Sequence, residues 1–333
     1  MDFAARTAAW LAATAGKPRV AAHRSMDMRW IASSLGPEDL VIVASFSGRT
    51  PRTIEAAMSA GKRGCTVWGI TGNPDSLVTK AVDQVLLLRT GPAEELTRHA
   101  YAGYHRIVPQ TKTFAAVLLA MIHVLVGAGC ISPARAKALE SLKEDSAKSL
   151  SRLESAVFEF KEQGFRKVER VALLGSGPWH PLAAFGAAKL LEMAIPARCQ
   201  CLEENNHLEM FITRPDDLIV LIAPDEPSWT RAQELLEPYG RFDALRLALI
   251  GPGLHEDDRP FAKDGPDLCR ITLDRGEDLF LVFQTVTAIE LLAAALGPAL
   301  GRDIDQWVGG IRTKLIEEMG LALVRGSKIM MQD

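Results

Sequence analysis

Leu40-Val41-Ile42-Val43-Ala44-Ser45-Phe46-Ser47-Gly48-Arg49-Thr50-Pro51-Arg52-Thr53-Ile54-Glu55 holds a strand, a hydroxyl-rich turn and a helix start within sixteen residues. Leu40 to Ala44 is short, apolar and β-branched, which suits a strand covered on both faces of a parallel sheet. Ser45 to Thr50 follows with three hydroxyls and a glycine that permits a tight turn. Pro51 fits the first helical turn, Thr50 the N-cap, and Ile54, Ala57 and Met58 the apolar face. Strand, Ser/Thr/Gly turn and helix start in this order make an anion site. Backbone N–H groups and the positive end of the helix dipole face one point, and phosphate is the natural occupant. The ordinary alternative is a turn whose serines merely close it and cap the helix. The turn is neither a Walker loop, which needs Gly-Lys-Ser/Thr, nor a Gly-x-Gly-x-x-Gly dinucleotide turn.

Working outward, the chain has 333 residues, 48% hydrophobic and 24% charged, enough for two domains. A net charge of −3 without a dense Lys/Arg block gives no electrostatic footprint for nucleic acid or an anionic membrane. Cys65, Cys130, Cys199, Cys201 and Cys269 lack zinc spacing, and Cys199-Gln200-Cys201 is Cys-x-Cys, so the thiols read as reduced and mostly core. The apolar run from Phe114 to Gly129 is interrupted by His123 and is too short to span a bilayer. With no signal peptide at the start, the expected location is cytoplasmic.

Residues 2–15 have helical spacing, with Phe3, Ala4, Thr7, Trp10, Leu11 and Thr14 on one face. Arg19–Ala22 reads as a weak strand and Met26–Ser33 as a helix. Thr66–Thr71 is a strand ended by Gly72-Asn73-Pro74, and Val82–Leu88 is another after a short helix. Glu94–Val108 and Thr113–Val126 read as helices, and Ala138–Gly164 as a charged amphipathic connector. Strands alternating with helices imply a doubly wound parallel sheet.

The second half repeats the first. Asp217-Leu-Ile-Val-Leu-Ile-Ala-Pro-Asp225-Glu-Pro-Ser228 lines up with Asp39 to Thr50, and Leu247–Gly251 with Val67–Gly72. The expected fold is α/β, with two doubly wound, flavodoxin-like domains in tandem at 1–137 and 165–333 and a connecting helix at 138–164. Asp225 and Glu226 replace the serine turn there and repel phosphate. The second half instead offers a glycine turn, Gly175-Ser176-Gly177-Pro178, after the strand beginning at Val171.

Ser45-Phe46-Ser47-Gly48-Arg49-Thr50, Thr111-Lys112-Thr113-Phe114-Ala115-Ala116 and the Gly175 turn together resemble the sugar isomerase (SIS) family in its double-domain form. The similarity extends to the isomerase half of glucosamine-6-phosphate synthase and to the fructoselysine- and glucoselysine-6-phosphate deglycases. It implies a phosphosugar ligand, a homodimer, and neither metal nor cofactor. By the same resemblance Ser45, Ser47 and Thr50 hold the phosphate, with Phe46 at a position often polar, and Phe46, Gly48, Val108, Gln110, Gly175 and Ser176 line the substrate. Arg52 stands where many members carry an acid. By spacing, Met1 falls just after the family's Gly-x-Gly-Ser/Thr-Ser loop, so the first strand and loop of domain 1 are expected to be missing.

Lys189 and Glu192 are the only charges in the apolar stretch from Pro181 to Ile195 and share a helix face. Taken alone they form a surface ion pair. The resemblance instead makes Glu192 the base that moves a proton between adjacent carbons of an open-chain sugar, with Lys189 steadying oxygen. A base partly desolvated among apolar side chains suits that task. His207 matches the ring-opening histidine and Glu204 an acidic position before it, although Glu203-Glu204-Asn205-Asn206-His207-Leu208-Glu209 departs from Gly-Glu-x-x-His-Gly-Pro. Glu-x-x-His here has no partner elsewhere to suggest a metal. No lysine of the C-terminal tail is assigned, Lys314 and Lys328 being unequal to the family pattern. Three readings stay open: a phosphosugar aldose–ketose isomerase, an Amadori-type deglycase, and a non-catalytic phosphosugar sensor.

Overall fold

The computed structural model describes residues 1–15, 19–90, 111–165, 168–239, 241, 246–252, 268–302 and 328–329. Its helices and strands run α1 (Asp2–Thr14), β1 (Leu40–Ala44), α2 (Pro51–Lys62), β2 (Thr66–Thr71), β3 (Gln84–Leu87), α3 (Lys112–Gly127) and α4 (Leu142–Gly164). There follow β4 (Arg170–Gly175), α5 (His180–Glu192), β5 (Ala197–Gln200), α6 (Leu202–His207), β6 (Asp217–Ile222), α7 (Glu226–Tyr239), β7 (Arg246–Pro252), β8 (Leu268–Leu273) and α8 (Asp278–Ala299). The chain divides into two compact units. The first comprises Met1–Ala9, Arg19–Gly127 and Trp307–Asp333, the second Trp10–Pro18 and Ala128–Gln306.

The sheet of the first unit is parallel, in the order β1-β2-β3, with Leu40 opposite Thr66 and Trp68 opposite Gln84. Helix α2 presents Ile54, Ala56, Ala57 and Ala60 to Val43 and Val67. Alanines on that face let helix and sheet approach closely, while Met58 lies outward at 37% exposure. Only Val43 of β1 is buried, because β1 is an edge strand among the described residues. The expectation of a strand covered on both faces does not hold for it. Arg19–Ala22 forms no strand, Met26–Ser33 breaks into short helical turns around Met28–Ile31, and residues 72–80 are turns rather than a helix. The helix expected at Glu94–Val108 lies outside the described residues.

The sheet of the second unit is parallel and ordered β5-β4-β6-β7-β8. Counted along the chain this is 2-1-3-4-5, the doubly wound order whose direction reverses between β4 and β6. Ligands of such sheets bind beyond the carboxyl ends of the strands at that reversal, where the Gly175 turn lies. Every residue of β6 is buried, as befits a central apolar strand. Helix α4 packs against β8 and α8. The sheet order β1-β2-β3 matches β6-β7-β8, and Ser45 N donates to Ile70 O at 3.0 Å as Ala223 N does to Ile250 O at 2.8 Å.

Helix α1 buries Ala4, Thr7, Ala8, Leu11 and Ala12, and leaves Trp10 45% exposed, against the expected face. Among the described residues the longest apolar helix is α8. Its 22 residues are long and apolar enough to cross a bilayer, yet most of that apolar stretch is buried, the place of a core helix. None of the five cysteines forms a disulfide, but only Cys65 and Cys269 are buried, so the expectation of mostly core thiols fails for the other three. Burial pushes the Cys269 thiol up to about 12, and desolvation, followed by the nearby Asp39 charge, raises Cys65. A disulfide-exchange reagent at pH 8 is therefore expected to modify Cys130, Cys199 and Cys201 in the folded protein. Cys65 and Cys269 are expected to react only after denaturant is added, as peptide mapping would show. The Cys269 value lies above its ordinary 9.0. Stability from its neutral thiol is thus full below the ordinary value and is lost as pH rises through the folded one.

Candidate active site

In the first unit, β1 delivers Ser45 into the turn, and Gly48 N closes it on Ser45 O at 2.9 Å. Gly48 has φ +62°, and a Cβ there falls 2.1 Å from Ser76 Oγ. Only glycine fits, because the left-handed conformation and the contact both exclude a side chain. Thr50 sits at the N-cap with φ −75° and Pro51 in the first turn, as expected. The Thr50 hydroxyl caps no backbone N–H, however, and meets Ser45 Oγ at 3.1 Å. Ser47 Oγ accepts from Arg49 N at 3.4 Å. Ser45, Phe46, Ser47, Gly48 and Thr50 are thus brought into one turn at a helix start. Arg52 pairs with the buried Glu55 at 2.8 Å and donates to Lys328 O.

Gly48→Ala is expected to weaken binding of a hexose 6-phosphate at least tenfold, with the fold retained. Left-handed backbone costs a non-glycine residue about 1–2 kcal/mol, and displacing Ser76 adds to it. Unchanged affinity by titration calorimetry contradicts this geometry.

In the second unit, α5 crosses β4 and α8 at Gly186, where a Cβ would lie 2.5 Å from Leu173 and 2.8 Å from Ile289. This close approach fixes the helix that carries Lys189 and Glu192 near its C-terminus. Lys189 Nζ donates to both Glu192 oxygens at 2.8 and 2.7 Å and lies 5.6 Å from the Phe185 ring centroid. Of the pair it is the lysine side chain that is desolvated, at 10% exposure against 40% for Glu192. The expected desolvation of Glu192 is therefore not what the structure shows, because Glu192 ends the helix and faces outward. Beyond it Ile195 N reaches Leu190 O and Ala194 N reaches Leu191 O, both at 3.0 Å, a Schellman closure. Ala194 occupies its left-handed position at φ 58°. A non-glycine residue held there is local strain next to a proposed base.

Ser176 Oγ accepts from Leu202 N at 3.1 Å, tying the Gly175 turn to the start of α6. Helix α6 carries Glu204 and His207. His207 Nε2 lies 3.2 Å from Glu203 Oε1, one helical turn away, and Glu203 Oε2 lies 2.8 Å from Arg231. The imidazole is thus oriented by Glu203, whereas the backbone N–H of Glu204 donates to Cys201 Sγ at 3.1 Å. Spacing alone gave Arg231 no role, since it comes from α7. Thr71 and Asn73, which hydrogen-bond the serine turn, were likewise missed because Gly72-Asn73-Pro74 reads simply as a turn. Val108 and Gln110 lie outside the described residues. No cluster with metal-ligating geometry occurs among the described residues.

The fold and the turn define a class: a parallel α/β protein with a hydroxyl-lined turn opening onto a helix start. Residues 2–120 match the family model of the SIS domain. Over those residues the chain matches the SIS domain, and across most of its length it resembles the isomerase half of glucosamine-6-phosphate synthase. It is 25% identical over 302 residues to the isomerizing glutamine–fructose-6-phosphate aminotransferase of Aquifex aeolicus, covering 89% of this chain and 47% of the relative. It is 28% identical over 226 residues to that of Xylella fastidiosa, covering 65% and 35%. The chain thus spans less than half the length of these relatives. In structure it is similar to the C-terminal domain of glucosamine-fructose-6-phosphate aminotransferase from Francisella tularensis, with TM-score 0.66, 19% identity and coverage of 92% and 84%. It is also similar to tagatose-6-phosphate ketose/aldose isomerase from Escherichia coli, with TM-score 0.66, 20% identity and coverage of 92% and 84%.

Proposed function

We propose that the protein is a phosphosugar aldose–ketose isomerase or an Amadori deglycase that transfers a proton on an open-chain sugar phosphate. The observation that carries this reading is the turn in which Ser45 and Thr50 hydroxyls meet at 3.1 Å over a left-handed Gly48, immediately before Pro51. Hydroxyl donors and the N-terminus of a twelve-residue helix converge there, a setting that favours a phosphate dianion. Ser45, Ser47 and Thr50 are assigned to the phosphate, and Phe46, Gly48, Val108, Gln110, Gly175, Ser176 and Glu204 to the rest of the substrate. Glu192 moves the proton, Lys189 balances its charge and steadies oxygen, and His207, held by Glu203, assists ring opening. The activities named for the relatives, amino transfer with isomerisation and ketose/aldose isomerisation, are in keeping with this chemistry.

The same reading includes two SIS-type domains, at 1–137 and 165–333, joined by 138–164. The matching hydrogen bonds at Ser45 and Ala223 support it. It also includes a cytoplasmic homodimer acting without metal or cofactor. The apolar run of exposed Leu208, Met210, Phe211 and Ile212, with Phe211 at 81%, supports association.

Incubation with fructose 6-phosphate, tagatose 6-phosphate and fructoselysine 6-phosphate, followed by phosphorus NMR, tests the proposal. Appearance of an aldose phosphate identifies an isomerase, and a hexose 6-phosphate with free lysine identifies a deglycase. Phosphate-dependent binding without conversion identifies the second reading, a phosphosugar sensor. That reading is favoured by one observation, the hold of Lys189 on both Glu192 oxygens.

A further inference from the structure

Besides its own internal bonds, the serine turn is held from outside. Three successive carbonyls, of Phe46, Ser47 and Gly48, are taken by the end of β2 and the segment that follows it. Phe46 O accepts from Gly72 N at 2.9 Å and from Thr71 Oγ1 at 3.2 Å. Ser47 O accepts from Asn73 Nδ2 at 3.4 Å, and Gly48 O from Val78 N at 3.1 Å. The segment is itself cross-braced, because Thr71 Oγ1 also accepts from Asn73 N at 3.2 Å, and Asn73 Oδ1 from Asp75 N at 3.1 Å. Ser76, 1% exposed, closes against Gly48.

This arrangement sets the polarity of the turn. With its carbonyls drawn onto residues 71–78, its negative ends point away from the place where an anion would sit. The N–H groups of Ser47 and Thr50 donate to no protein acceptor among the described residues. A cradle of this kind takes an anion only while the carbonyls stay averted, since one carbonyl turned inward sets a negative dipole against the ligand.

We infer that Thr71 and Asn73 are positioning residues that set the affinity of the serine turn for a phosphate monoester, without touching it. The inference rests on the phosphate assignment above and adds what governs its strength. Thr71 is fully buried and Asn73 half-buried, so the pair gives two variants with different folding risk. Thr71→Val keeps the shape and removes the hydroxyl, Thr71→Ser restores it, and Asn73→Ala removes the amide.

The experiment measures dissociation constants for fructose 6-phosphate and for fructose by calorimetry. It uses the full chain and its variants, with Ser45→Ala as a check on the turn and circular dichroism as a check on folding. Thr71→Val and Asn73→Ala are expected to weaken fructose 6-phosphate binding about tenfold, the scale of one lost hydrogen bond in a charged site. Thr71→Ser is expected to stay within about twofold of the wild type. Affinity for fructose and turnover at saturating substrate stay unchanged, which a general loss of structure would not allow. If wild type and Ser45→Ala bind fructose 6-phosphate no better than fructose, the phosphate assignment falls and the inference with it. If wild type is phosphate-dependent and Ser45→Ala is weakened, while Thr71→Val and Asn73→Ala bind as wild type, the inference alone is overturned. It is also overturned if Thr71→Ser is as weak as Thr71→Val.

Discussion

Glu192→Gln is expected to lower turnover of the phosphosugar substrate by about 10²–10⁴-fold, the contribution of a positioned general base. Glutamine keeps the side-chain length and still accepts a hydrogen bond from Lys189, but it takes no proton. The carboxylate stands at the end of α5, which Gly186 seats against β4 and α8 and the Schellman closure at Ala194 terminates. Binding of fructose 6-phosphate is expected to persist, because phosphate recognition is assigned to the serine turn. Steady-state kinetics should therefore show kcat falling while KM changes little. A variant that turns over at the wild-type rate removes Glu192 from the chemistry.

Asp217→Ala is expected to destabilise the second unit by about 3–5 kcal/mol, the effect of breaking a buried ion pair. Asp217 is fully buried and accepts from Arg170 Nε at 2.7 Å, Arg170 Nη2 at 2.8 Å and Arg214 N at 3.1 Å, with Arg198 at 3.6 Å. The hydrogen bond to Asp217 raises the Arg170 guanidinium above its ordinary value; that support goes with the substitution, but an arginine stays charged without it, so an uncompensated cation is left. Arg170 also donates to Ile212 O at 2.7 Å, and Arg198 to Glu209 at 2.6 Å. The same change should therefore loosen the segment that follows His207. Thermal denaturation monitored by circular dichroism measures the loss, and a midpoint equal to that of the wild type contradicts it.

What the sequence made legible is what local chemistry determines. Ser45, Gly48, Thr50 and Pro51 announce their turn and helix start because glycine, hydroxyls and proline act within a few residues. Lys189 and Glu192 announce themselves as charges in an apolar run. Features set by distant partners were not legible. The exposure of β1 depends on which strands flank it, whereas the similar run in β6 is buried throughout. Glu192 was expected to be desolvated, but helix length put it at an outward end while Lys189 took the buried position. His207 meets Glu203 because a helix brings residues four apart onto one face, and Arg231 reaches Glu203 from α7. The bonds from Thr71 and Asn73 to the serine turn cross 25 and 26 residues of sequence, and no local pattern signals them.

The most direct test of the central claim is deuterium incorporation from heavy water into fructose 6-phosphate and fructoselysine 6-phosphate, read by mass spectrometry for wild type and Glu192→Gln. Proton transfer on an open-chain sugar predicts one carbon-bound deuterium with the wild type and none above background with Glu192→Gln, both proteins binding the ligand. Clear binding with no incorporation by the wild type contradicts the claim and leaves a phosphosugar sensor.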